Sequence, residues 1–102
     1  MPQFFLAYHG GTMPETQEAR DALMARWGAW MAEVGPALDP NGAPLGALHT
    51  VTDGGTTATA DADPMTGFNM LTAASLDDAL ALIAGHPHLD DGTIRIAEMK
   101  TM

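Results

Sequence analysis

Apolar and polar positions alternate along this chain with two different periods. Phe4 to Tyr8 is apolar on both alternating faces, Phe4/Leu6/Tyr8 and Phe5/Ala7/His9. That pattern predicts a central strand covered on both sides, ended by Gly10-Gly11. Thr12 and Glu15 have the spacing of a capping box, with Pro14 in the first turn, and predict a helix running to about Val34. Leu23, Trp27, Trp30, Met31 and Val34 fall on one stripe of that helix. Gly28 between the tryptophans costs roughly 1 kcal/mol against alanine, and Gly35-Pro36 stops the helix.

Residues 37–66 are turn-rich. Asp39-Pro40-Asn41-Gly42 reads as a turn and Pro44-Leu45-Gly46 as a loop. Ala47 to Val51 and Thr56 to Ala60 predict two strands joined through Asp53-Gly54-Gly55. The second is thin in apolar residues, as in an edge or an exposed arm. Asp61 to Pro64 is an acidic loop. Phe68 to Ala73 predicts another strand, with Phe68, Met70 and Thr72 on one face. Ser75 and Asp78 repeat the capping spacing before a short helix with Leu76, Ala79, Leu80 and Ile83 inward and Gly85 at its end. A loop through His86-Pro87-His88 leads to a last strand, Thr93 to Met99.

Strand, helix, strands, then strand, helix, strand is the order of a ferredoxin-like α+β fold, a split βαβ sandwich with an inserted hairpin, in one domain over residues 1–102. Two helices cover only one face of such a sheet. The apolar residues on the other face would leave a patch too large for a soluble monomer. The simplest cover is the same face of a second copy, so a homodimer is expected.

Charge narrows the range of partners. Four Lys+Arg against thirteen Asp+Glu give a net charge of -9, which disfavours nucleic acid and anionic membranes. With no cysteine, disulfides, thiolate metal sites and thiol nucleophiles are excluded. The first residues lack a basic segment, and their apolar run is too short for a signal peptide, so a cytoplasmic protein is expected. No phosphate loop, HExxH motif or Ser/His/Asp order occurs, and no cofactor is expected.

The candidate chemistry rests on few residues. His9 ends the first strand beside two glycines and is the candidate general base; the alternative is a strand-end histidine bonded to a backbone carbonyl. His88 is a second catalytic candidate. Trp27 and Trp30 are candidates to line a pocket for a flat ligand, or else belong to the core. His49, in the middle segment, is a further candidate ligand contact. Glu98 shares a face with Ile94 and Ile96, where a carboxylate on apolar surroundings would be an acid or base, unless that face reaches solvent. Arg95, on the opposite face, is suited to hold an anion or to pair with an acid. His86, His88 and Asp90 alternate along a loop and form a weak candidate metal set, against the expectation of no metal.

The segments FFLAYHGG, RWGAWMAEVG and TGFNMLTAASLDDALALIAGHPHLDDGTIRIAEM, together with the length, resemble the YCII-related family, in particular its DGPF-containing branch. The resemblance implies a dimeric α+β barrel with a pocket between the first helix, the sheet and the loops. Relatives of this architecture include cofactor-free isomerases, dehydrochlorinases and monooxygenases acting on small ring compounds. The family's proposed His–Asp pair does not carry over. The first helix here has no histidine, and the acidic loop reads Asp61-Ala62-Asp63-Pro64-Met65 in place of Asp-Gly-Pro-Phe. Two functions follow: a cofactor-free enzyme moving a proton on a small apolar or aromatic ring compound, or a non-catalytic dimeric ligand-binding or scaffold protein.

Overall fold

Three strands of eight residues form the body of one antiparallel sheet, described by a computed structural model over residues 1–100. The elements run β1 (Gln3–Gly10), α1 (Gln17–Val34), β2 (Ala43–Pro44), β3 (His49–Thr52), β4 (Gly55–Ala58), β5 (Met65–Thr72), α2 (Leu76–Ile83) and β6 (Gly92–Met99). The sheet order is β2-β5-β1-β6, and β3 pairs only with β4. This is the ferredoxin-like order with an inserted hairpin, as the hydrophobic pattern predicted. β1 is central because it is the only strand with apolar residues at every position from 4 to 8.

The helices lie on one face. Phe4, Leu6 and Tyr8 of β1 and Leu71 of β5 are buried there against Trp30 and Val34 of α1 and Ala79 and Ile83 of α2. β6 closes that layer with half-buried Ile94 and Ile96. The opposite face carries Phe5, Ala7 and His9 of β1, and the register sets Met70 and Phe68 of β5 and Ala97 and Arg95 of β6 beside them. No helix among the described residues covers this second face.

Several local expectations are corrected. Thr12 does not cap α1: its amide and hydroxyl both donate to Asp91, at 2.9 and 2.7 Å. Thr16 is the cap instead, accepting from the Ala19 amide at 3.1 Å, and the helix begins four residues later than the Thr12 spacing implied. Ser75 caps α2 through the Asp78 amide as expected, but Leu76 and Leu80 are exposed, and Ala79, Leu82 and Ile83 make the inward face. Met31 likewise leaves the α1 stripe for solvent. α2 ends at Ile83, with Ala84 rather than Gly85 as its C-cap. Gly35 does end α1, at φ +60°, a conformation that favours glycine. Pro44, read as the start of a loop, instead pairs together with Ala43 against Gly67 and Phe68 as a short edge strand. No helix among the described residues is long and apolar enough to cross a membrane.

Candidate functional site

The C-terminal end of β1 gathers three of the four histidines, and strand alternation splits them between the two faces of the sheet. On the helix side lies a closed group. His86 is 2% exposed, with its ring centroid 4.4 Å from Trp27, 4.2 Å from Trp30 and 5.1 Å from Tyr8. Its Nδ1 accepts from the His88 amide at 3.0 Å, which fixes the neutral ring's proton on Nε2. That N–H donates to the Tyr8 hydroxyl at 3.1 Å, and Tyr8 donates to Asn69 Oδ1 at 2.6 Å. Burial, reinforced by His88 nearby, brings the His86 pKa down to about 4, and burial pushes the Tyr8 hydroxyl up. Both groups are neutral near neutral pH.

His88 sits at the seam. Its Nε2–H donates to the His9 carbonyl at 2.9 Å, and its ring lies against Gly11 and Gly92, where a Cβ at position 92 would collide with it. His88 therefore supports the backbone of His9 without sharing a pocket with its ring. Trp27 and Trp30 box in His86 and belong to the core; the Trp30 indole donates to the Leu82 carbonyl at 2.9 Å. The weak metal set does not converge. The His86 nitrogens are both committed, and Asp90 is held by Arg26, which keeps its carboxyl below the usual range. No group of three ligating side chains occurs among the described residues. His49 is exposed on the hairpin, and Glu98 is exposed on the edge strand β6, away from the histidines.

On the open side, His9 is 8% exposed. Its Nδ1–H donates to the Asp63 carbonyl at 2.9 Å, so the strand-end bond to a backbone carbonyl is present on one nitrogen. Nε2 has no hydrogen-bond partner among the described residues, and it is not sealed from solvent. The Asp63 carboxylate lies 3.9 Å from His9 Nδ1 and 3.3 Å from the Arg95 guanidinium.

The register gives this corner a shape. Ala7 is flanked along β1 by Phe5 and His9, and across the sheet by Phe68 and Arg95. Side chains two apart on a strand, and those directly opposite on neighbouring strands, share a face. A methyl group surrounded by two phenyl rings, an imidazole and a guanidinium makes a shallow saucer. The rings of Phe5 and Phe68 stack at 5.6 Å and 14°. The sequence pointed to His9 and to Arg95 as an anion holder. Phe5, Ala7 and Phe68 escaped because cross-strand neighbours depend on register, and Asp63 was hidden in a loop read only as acidic. The spacing of Asp63 from Met65, which pairs with His9, was the available signal.

No family model matches the chain, and no match emerges among curated proteins. Among solved structures, 5-chloro-2-hydroxyhydroquinone dehydrochlorinase from Burkholderia phenoliruptrix, in complex with 2,5-dihydroxybenzoquinone, aligns with a TM-score of 0.55 at 21% identity. The alignment covers 95% of this chain and 93% of that one. The two chains share a fold.

Proposed function

We propose that this chain is a YCII-like protein of the DGPF-containing kind that works as a homodimer and moves a proton, without a cofactor, on a small acidic ring compound. The observation that carries this reading is His9: one nitrogen fixed by a carbonyl, the other unpartnered and open beside a cation and stacked rings. A donor on Nδ1 sets the tautomer and leaves the Nε2 lone pair to accept a proton. A ring hydroxyl or an activated ring C–H is the natural source. Arg95, already near the site through Asp63, offers positive charge to the oxyanion or enolate that remains. Phe5 and Phe68 offer flat apolar area for the ring. The solved dehydrochlorinase of the same fold, with its quinone-type ligand, supports the substrate class. The dimer follows from the uncovered apolar face, on which this saucer lies.

A non-catalytic binding protein is the second reading. The enclosed helix side favours it, since both tryptophans and His86 are spent on the core and leave His9 without a partner base. Titration with 2,5-dihydroxybenzoquinone, followed by calorimetry, tests what both readings share. Binding to the wild type that weakens at least tenfold in Arg95→Gln is expected. Equal binding by both proteins removes the saucer from consideration. Binding without turnover of any hydroxylated or chlorinated ring compound supports the second reading over the first.

A further inference from the structure

We infer that the β3–β4 hairpin is an exchange arm that docks on a second copy of this chain. The inference rests on the homodimer proposed above and adds a surface to it. Every residue of both strands is exposed, Val51 at 74%, and neither strand pairs with the main sheet. The arm draws the chain out to a radius of gyration of 15.1 Å, against about 13 Å for a compact domain of this size. A lone two-stranded ribbon is marginally stable in water. Ribbon edges that face solvent are ordinarily guarded by lysine, proline or a bulge. Between Leu45 and Ala60 there is no lysine, arginine or proline, and Asp53 at the turn is the one acid. Thr50, Val51, Thr52, Thr56 and Thr57 supply β-forming side chains that meet only one another and the hairpin's own turn and flank, and all are exposed.

Two observations select a second copy as the occupant. Each chain carries -9, so two copies repel, and the nearly uncharged arm is the segment that approaches an equally acidic partner at least electrostatic cost. The second is position: the open sheet face, which the proposed homodimer covers, lies on the three long strands. The arm is continuous with that face, because the chain leaving β2 and the chain entering β5 form its base. That base lines a cleft of about 590 Å³ with Leu48, Ala58 and Thr59 on one side and the 61–66 segment on the other. The same segment contains Asp63, whose carbonyl holds His9.

Three measurements on the protein test the arm. Replacing residues 49–58 by a Gly-Asn turn is expected to raise the dimer dissociation constant at least 100-fold by sedimentation equilibrium, with far-UV circular dichroism otherwise preserved. Val51→Asp changes a side chain that is 74% exposed and faces only Thr56 of its own hairpin, so it guards against misfolding of the shortened protein; a loss of at least tenfold is expected. In the wild type, amides 49–58 should exchange slowly where the dimer dominates and quickly on dilution. A dimer of unchanged affinity in both variants, or a wild-type dimer whose arm amides exchange freely, overturns the arm and leaves the homodimer standing. A wild-type chain that is monomeric at every concentration overturns both.

Discussion

His9 and His86 show how far two residues of one type diverge once their surroundings are fixed. His9 keeps one nitrogen open, and a base is expected to be lost without collapse of the site in His9→Gln, which preserves donor and acceptor but not titration. Any turnover that needs the base should fall by roughly 10²–10⁴-fold, measured at saturating substrate beside an unchanged melting temperature. His86 is held neutral, with a folded pKa of about 4 against 6.5 for an unburied histidine. The unfolded chain therefore binds more protons between pH 6.5 and 4. Stability present above pH 6.5 is lost as pH falls through that window, with a slope of at most about 1.4 kcal/mol per pH unit. Denaturant titrations at pH 7 and pH 4.5 should show the loss, and His86→Phe should flatten it. At this scale the sequence was half legible. A histidine beside paired glycines singled out His9, whose Nδ1 the structure shows bonded to the Asp63 carbonyl, but His86-Pro87-His88 resembled a ligand loop because a histidine capping a short helical turn has no familiar pattern. Ser, Thr, Asp and Asn are the residues that signal a cap.

The elements were more readable than their ends. Periodicity located both helices, the hairpin and three long strands, because burial on one face imposes a period that survives in the residues. It did not locate the start of α1. Thr12 has the spacing of a cap in sequence, and it is Asp91, 79 residues away, that draws its amide and hydroxyl elsewhere. Thr16→Ala is therefore expected to cost about 1 kcal/mol through loss of the cap. Ser75→Ala should cost a similar amount at α2, and thermal melts compared with wild type would show both. Thr12→Ala should instead act through Asp91. That carboxyl is held below its ordinary range by the Thr12 hydroxyl and then the Thr12 amide, so the variant should raise its titration point in a carboxylate-resolved NMR series. Ala43–Pro44 was invisible because two residues carry no period, and their pairing is decided by where β5 lies.

For the whole molecule, the sheet with helices on one side alone was the most secure inference from sequence, since it needs only the count of helices and the apolar residues on both faces of β1. Its consequence is an expected particle of twice the 10.7 kDa chain at micromolar concentration. Sedimentation velocity giving only the single chain would refute the homodimer. Flatness fits the same picture: the chain measures 44 × 44 × 20 Å, two layers thick where a barrel needs a second sheet.

The order of the strands also bears on how the chain is made. β1 finds its partners at residues 65–72 and 92–99, so the strand synthesised earliest of the three lies between the two that follow it. At about 5–20 residues per second, Phe4 to Tyr8 waits on the order of seconds for its first neighbour and longer for its second. Until then the stretch with apolar residues on both faces is a free strand, the kind of segment that chaperones bind and that self-associates when they do not. During biosynthesis, then, the segment most exposed to misassembly is the one that becomes the centre of the finished sheet.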